Sequence, residues 1–329
     1  MNLLITGGAG FIGSNLVHLA IERGHTVVTL DALTYAGSKE NLADLEDSPS
    51  HQFVHGDIRS KETVEVVLKA GVNNSPFDAV INCAAETHVD RSLIRAIPFA
   101  DSNVLGTAIL LELSRAHNIA TFIQISTDEV YGSIEGEASF TLRSSLHPSS
   151  PYSASKAGAD LFALSFYRSW GYDVRITRCT NNYGPYQHQE KFIPTVITAI
   201  LNNRPIPIYG DGKNVRDWIF VRDHCEGILA VLDRGKAGET YHFSASNERS
   251  NIDLAEQLVI TLAQKLGKEE SQVRSLLTYV TDRPGHDRRY SLDSSETRVE
   301  LGWEPATDWE HGITATVDWY CDQLKGKQS

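Results

Sequence analysis

Between an apolar run, Leu3-Leu4-Ile5-Thr6, and an amphipathic segment, Phe11 to Arg23, lies the string Gly7-Gly8-Ala9-Gly10-Phe11-Ile12-Gly13. Glycines at this spacing suit a strand that turns sharply into a helix while its backbone comes close to something else. The chain therefore has to open with a strand–turn–helix unit. Another apolar run, Thr26 to Leu30, follows the helix, and strand candidates recur at Gln52 to His55, Ala79 to Cys83, Thr121 to Ser126 and Val174 to Arg178. Helical stretches at Lys61 to Ala70, Ser102 to His117 and Ala154 to Trp170 separate them. Short apolar strands alternating with helices are the pattern of a parallel sheet covered on both faces.

The fold class is thus α/β, a Rossmann-like doubly wound parallel sheet, whose ligand crevice opens at the carboxyl ends of the strands. A length of 329 residues allows one large domain or two that share a core. After about Asn181 the rhythm loosens, with Pro185, Pro194, Pro205, Pro207 and a Gly210-Asp211-Gly212 turn. A strand-like Asp217 to Val221, a helix from Arg222 to Leu232 and a helix from Ile252 to Leu266 follow. The expected division is a dinucleotide-binding part over residues 1–180, with returning elements near 215–245, and a smaller substrate-binding region over 181–329. The loop Asp282 to Tyr290 is expected to lie over the crevice.

With 30 basic against 42 acidic side chains the net charge is −12, so no global attraction to nucleic acid or an anionic membrane is expected. Any phosphate has to be gripped locally. The four cysteines stand far apart without a CxxC pair, the histidines show no ligand spacing, and no apolar run reaches the ~18 to 20 residues of a membrane span. These features imply no metal and place the chain in a reducing cytoplasm.

In this context the glycine string reads as a nicotinamide-dinucleotide turn: Gly7, Gly10 and Gly13 let backbone and helix N-terminus meet a pyrophosphate, with Phe11 and Ile12 opening that helix. Asp31 follows the second strand, about twenty residues beyond Gly10, where a carboxylate accepts the ribose hydroxyls and repels a 2′-phosphate, which favours NAD over NADP. Asp57, after the third strand, either meets the adenine edge or caps its own loop. Cys83, Ala84 and Ala85 are small enough for a cofactor to lie against them, or for close packing alone.

Tyr152 and Lys156 are four apart, so a helix projects both from one face, where the ammonium can favour the phenolate and hold the nicotinamide ribose. Asp128 and Glu129 follow the fifth strand, at the rim of the crevice. They either cap a turn or supply proton transfers beyond those of a simple sugar oxidation. In the second reading one carboxylate removes a C5 proton made acidic by a C4 ketone, while a protonated carboxylic acid helps the C6 hydroxyl leave. That acid must stay protonated near neutral pH, through burial or the neighbouring Glu129.

The glycine string, Tyr152 and Lys156 resemble the extended short-chain dehydrogenase/reductases that act on nucleotide sugars. Ser126-Thr127-Asp128-Glu129-Val130-Tyr131-Gly132, Thr34-Tyr35-Ala36-Gly37, the run Ala84 to Ser92, Asn181-Asn182-Tyr183-Gly184-Pro185-Tyr186, Val215-Arg216-Asp217-Trp218 and Asp282 to Tyr290 together resemble the nucleoside-diphosphate-glucose 4,6-dehydratases, above all those acting on dTDP-glucose. The resemblance covers nearly the whole chain. It implies C4 oxidation by NAD, elimination across C5 and C6, and hydride return to C6, with Thr127, Asp128, Glu129, Tyr152 and Lys156 catalytic. It adds Leu33, Thr34, Ile58, Thr87, Ser102 and Asn182 to the cofactor contacts. To the substrate it assigns Thr87, Thr127, Asn181, Lys191, Phe192, Pro207, Tyr209, Arg216, Asn251, Asp282 and His286, with Arg216 on the diphosphate. Tyr209 either stacks on the base or belongs to a strand packing its own core.

Two departures stand out. The loop reads Gln187-His188-Gln189-Glu190-Lys191-Phe192 where the family more often has an aromatic and a proline before Glu-Lys and a leucine after, and Thr87 replaces a common Ser. They leave open a UDP-glucose 4,6-dehydratase, or another nucleotide-sugar epimerase or decarboxylase of the same superfamily. Paired Asp128 and Glu129 speak against an epimerase, which needs no extra acid and base. A non-catalytic NAD(H)-binding protein is disfavoured because Tyr152, Lys156, Asp128 and Glu129 are all present. The resemblance also implies a homodimer formed through a four-helix bundle.

Overall fold

The computed structural model describes residues 1–282 and 287–326, the last three by backbone alone. Its strands are β1 (Asn2–Thr6), β2 (Thr26–Asp31), β3 (His51–His55), β4 (Ala79–Asn82), β5 (Thr121–Thr127), β6 (Asp173–Cys179), β7 (Asn181–Tyr183), β8 (Ile206–Tyr209), β9 (Val215–Phe220), β10 (Thr240–Phe243), β11 (Glu248–Ser250) and β12 (Leu277–Val280). Seven of them form one sheet in the order β3-β2-β1-β4-β5-β6-β10, every neighbouring pair parallel. The order reverses between β1 and β4, so the loops on either side of that point diverge and leave a crevice at the carboxyl ends.

Both faces of the sheet are covered, which is why β4 and β5 are buried along their whole length. On one face, Leu16 and Val17 of the helix Phe11–Glu22 share a core with Ile228 and Leu229 of the helix Val221–Arg234. Val64, Leu110 and Ala163 cover the other face. A separate core joins the helices Phe192–Leu201, Asn251–Leu266 and Trp309–Gly326 around Ile197, Leu258 and Val317, flanked by the sheets β11-β9-β7 and β12-β8. Residues after Asn181 thus build a second body while returning β10 to the main sheet.

Three local features differ from the reading of the sequence. The helix that carries Tyr152 and Lys156 begins at Pro151, three residues earlier than the pattern indicated: Ser150 and Ser153 form a capping box, and a proline in the first turn gives up an N–H that has no partner there. Residues Ala100–Gly106 wind as a π-helix before the α-helix Thr107–Ala116. There Asn103 bonds the backbone of Glu86 at 2.8 and 3.0 Å and the Ser155 hydroxyl at 2.8 Å, tying the loop after β4 to the helix Pro151–Trp170. The helix Phe192–Leu201 went unread because Pro194 looked like a breaker, yet it lies in the first turn. Among the described residues no helix is long and apolar enough to cross a membrane.

Candidate active site

The carboxyl ends of the central strands open onto one cleft, and glycine makes its floor. A Cβ on Gly13 would sit 2.1 Å from the Gly7 carbonyl oxygen, and one on Gly7, at φ +68°, 2.6 Å from the Ala84 nitrogen. Gly10 starts the helix in extended backbone without a side-chain cap, and Phe11, Ile12 and Gly13 line the cleft. The free N–H groups of that first turn suit a pyrophosphate. The two Asp31 oxygens accept the N–H of Ala9 at 2.9 Å and of Leu33 at 2.8 Å, so this carboxylate also braces the glycine loop. Thr34, Ile58, Cys83, Ala84, Ala85, Thr87 and Ser102 line the same cleft. Leu33 does not: its N–H is spent on Asp31 and its side chain packs on the core. Asp57 lines the cleft but is held as a turn cap, accepting the Arg59 N–H at 2.8 Å and the Arg59 guanidinium at 2.6 Å. That pairing keeps its carboxyl below the usual range.

At the other end, β5 delivers Thr127, whose hydroxyl caps the single turn Asp128–Tyr131 by accepting the Glu129 N–H at 3.3 Å. Asp128 is 3% exposed. Its Oδ1 accepts from Thr127 Oγ1 at 3.1 Å, and its Oδ2 is buried without a hydrogen-bond partner. Burial, and then the Glu129 charge, push its pKa up to about 8. Tyr152 and Lys156 stand one turn apart, both buried, with Lys156 Nζ donating to the Ile125 carbonyl at 2.6 Å. The Thr127 side chain lies near the Tyr152 hydroxyl in the same cleft.

One electrostatic expectation is corrected. Burial and the charges of Glu129 and Asp128 hold the Tyr152 pKa well above its ordinary value, while the Lys156 ammonium is committed to a carbonyl and is itself lowered by burial. This chain's own side chains therefore favour the phenol over the phenolate.

Thr87, Thr127, Asn181, Asn182 and Lys191 also line the cleft. Phe192, Pro207, Tyr209, Arg216, Asn251 and Asp282 are not among its lining residues. Tyr209 ends β8, paired with β12, with its ring 41% exposed, while Ile206 and Ile208 fill the core. Arg216 is buried, stacks over Tyr290 at 4.4 Å and donates to the carbonyls of Val215 and Asp287 at 2.7 and 2.9 Å. His286 lies outside the described residues. Beyond it, the strap from Asp287 is laced down: Val215 N–H donates to the Arg288 carbonyl at 2.9 Å and Phe140 N–H to that of Ser291 at 2.9 Å.

A family model described as GDP-mannose 4,6 dehydratase matches residues 4–316. The dTDP-glucose 4,6-dehydratase of Xanthomonas campestris pv. campestris (strain B100) is 49% identical over 327 residues, covering 96% of this chain and 92% of that one. The chain belongs to the nucleotide-sugar 4,6-dehydratase family. Among solved structures, the dTDP-glucose 4,6-dehydratase DesIV of Streptomyces venezuelae, crystallised with NAD bound, superposes with a TM-score of 0.92 at 44% identity, over 99% of this chain and 98% of that one. The UDP-glucose 4-epimerase of Thermotoga maritima shares the architecture, with a TM-score of 0.88 over 98% of this chain and all of that one, but is only 28% identical.

Several cleft residues of this family member escaped the sequence reading. Glu190 lines the cleft amid cationic or protonatable groups, with His88 at 3.5 Å, His188 at 3.6 Å, and Arg91 and Lys191 at 4.0 Å. Lys191 also donates to the Thr87 carbonyl at 3.2 Å, and Tyr35 meets the Thr87 hydroxyl at 3.1 Å. The departure at Gln187 to Gln189 was visible in the sequence, but nothing local showed that His88 and Arg91 would close on Glu190.

Proposed function

We propose that this chain is an NAD-dependent hydro-lyase that converts dTDP-glucose to dTDP-4-keto-6-deoxyglucose and water, in deoxysugar biosynthesis. The observation that carries the reading is Asp128: a buried carboxyl beside Glu129 that burial holds protonated near neutral pH. A ketone that is merely rotated and re-reduced calls for no such acid. The relatives named dTDP-glucose 4,6-dehydratase support the same reaction over nearly the full chain.

Gly7, Gly10, Gly13 and the N–H groups after them would hold the pyrophosphate, Asp31 the adenosine ribose, and Lys156 the nicotinamide ribose. NAD⁺, when bound, accepts a hydride from sugar C4 and returns it to C6. Tyr152 takes the proton of the C4 hydroxyl, with Thr127 orienting that oxygen. The positive charge of an oxidised nicotinamide supplies what Lys156 alone does not, a bias toward the Tyr152 phenolate. With a ketone at C4, Glu129 removes the C5 proton, Asp128 protonates the C6 hydroxyl, and water leaves. Glu129 then restores a proton to C5 as C6 is reduced.

Thr87, Asn181 and Lys191 hold the glucosyl unit. Arg216, Asn251, Phe192, Pro207, Tyr209 and Asp282 serve the nucleoside diphosphate from the second body, and Arg216 exchanges its backbone carbonyls for phosphate oxygens as it does so. The chain works as a cytoplasmic homodimer: Leu105, Leu161, Phe162 and Trp170 are exposed on the adjoining helical segments Ala100–Ala116 and Pro151–Trp170. The test is mass spectrometry of purified protein incubated with dTDP-glucose and, separately, UDP-glucose, without added reductant. Loss of one water from dTDP-glucose alone supports the reading; unchanged mass with both sugars contradicts it.

A further inference from the structure

The dehydratase reading, on which this inference rests, leaves a proton in the wrong place. Over one cycle Tyr152 gains the C4 hydroxyl proton, Glu129 borrows the C5 proton and gives it back, and Asp128 loses its proton to the departing water. The hydride removed at C4 reappears at C6, so sugar and cofactor balance. Tyr152 is then left with one proton too many and Asp128 with one too few. A second turnover cannot begin until that proton has moved.

Bulk water has poor access to either group, as Tyr152 is 8% and Asp128 3% exposed. Thr127 stands between them, equally buried, at the end of β5. Its hydroxyl donates to Asp128 Oδ1 at 3.1 Å on one side and comes near the Tyr152 hydroxyl in the same cleft on the other. The Glu129 N–H, at 3.3 Å from Oγ1, helps hold that hydroxyl in place. The neighbouring Ser126 hydroxyl is committed elsewhere, donating to Asp160 at 3.0 Å. A hydroxyl can accept one proton while giving up another.

We propose that Thr127 is the conduit that resets the enzyme, taking the proton from the Tyr152 hydroxyl as it passes its own to Asp128. One O–H bond breaks at Tyr152 and one forms at Thr127; one breaks at Thr127 and one forms at Asp128. The negative charge moves from the Asp128 carboxylate to the Tyr152 oxygen, and nothing is oxidised or reduced. Glu129 resists ionisation at Asp128 and at Tyr152 alike, so its charge does not set the direction; an oxidised nicotinamide, when bound, would favour the Tyr152 phenolate.

The test is rapid-quench product analysis of wild type, Thr127→Ser and Thr127→Val at several concentrations of a small buffer acid, imidazolium. Thr127→Ser keeps the hydroxyl and turns over with no dependence on the buffer, like the wild type. Thr127→Val makes about one product per site, then continues about 100-fold more slowly, at a rate that rises with imidazolium as the acid and its conjugate base carry the proton instead. A valine variant whose turnovers are all slowed alike and do not respond to buffer overturns the inference while leaving the dehydratase reading intact. Should that variant not fold, the wild type decides: a steady rate that climbs with imidazolium places the return in solvent and overturns the conduit, and a flat one supports it. A wild type that forms no dehydrated product overturns the reading and the conduit together.

Discussion

At Asp128, one carboxyl is kept protonated near neutral pH by where β5 ends. The strand runs buried to Thr127, and the turn that follows places Asp128 inside and Glu129 at the cleft. Replacing Asp128 by Asn keeps the shape and removes the acid, so elimination slows by about 10²- to 10⁴-fold. C4 oxidation continues, and reduced nicotinamide therefore accumulates in the absorbance during turnover. A raised pKa also has a sign in stability. The folded chain keeps the Asp128 proton up to about pH 8, whereas the unfolded chain releases it near an ordinary carboxyl pKa of about 4. Stability from this group is present below about pH 4 and is lost as pH rises toward 8. Asp128→Asn does not titrate, so its melting temperature relative to wild type is higher at pH 8 than at pH 5; the same difference at both would contradict a raised Asp128. These two residues, with Tyr152 and Lys156, were legible because their spacing is local. Glu190 was not, since the groups around it come from two separate stretches, His88–Arg91 and His188–Lys191.

Among elements, the helix Pro151–Trp170 carries the site and is anchored twice. At its start the Ser150 capping box fixes the turn that holds Tyr152. Ser150→Ala costs about 1 kcal/mol, to be read from urea unfolding. One turn beyond Lys156, Asp160 accepts from Arg178 Nε of β6 at 2.9 Å, both side chains being out of water. Arg178 donates on to Tyr131 at 2.6 Å, and the Tyr131 hydroxyl meets His242 of β10, also at 2.6 Å. Burial lowers the His242 pKa to about 4, so the ring is neutral and adds no second charge to Arg178. Breaking this chain with Arg178→Met strands a buried Asp160 carboxylate and costs about 3 to 5 kcal/mol; a loss under 1 kcal/mol in the same unfolding assay would show that the pair is not holding the helix. Strands β1 to β6 were readable to within a residue or two because two-sided burial writes itself as short apolar runs, whereas β10 was not read as a strand. The π-wound segment was not, because Asn103 answers to Glu86 and Ser155, contacts that no periodicity encodes.

On the scale of the whole molecule, two bodies with separate cores face one cleft, whose lining sets Lys156 and Lys191 among several carboxyl groups. The exposed side chains of Ile94, Ile97, Leu105, Leu161, Phe162 and Trp170 lie on consecutive or packed helices of the first body. Light scattering is expected to give a dimer, and Leu161→Glu with Phe162→Glu a monomer; a wild-type monomer at working concentration contradicts the assembly. The parallel sheet and cofactor turn followed from composition-independent rules of strand, glycine and helix. The second body was legible only in outline. Its prolines hide a helix, and the setting of Arg216 depends on the strap Asp287–Arg288, more than seventy residues further along the chain.

The central claim is that one enzyme oxidises C4, eliminates across C5 and C6, and reduces C6 with the hydride it took. Supplying dTDP-glucose deuterated at C4 tests it most directly, with the product read by NMR. The label is expected in the C6 methyl group, undiminished when unlabelled reduced nicotinamide cofactor is added. Deuterium still at C4, or lost to the added cofactor, would contradict it.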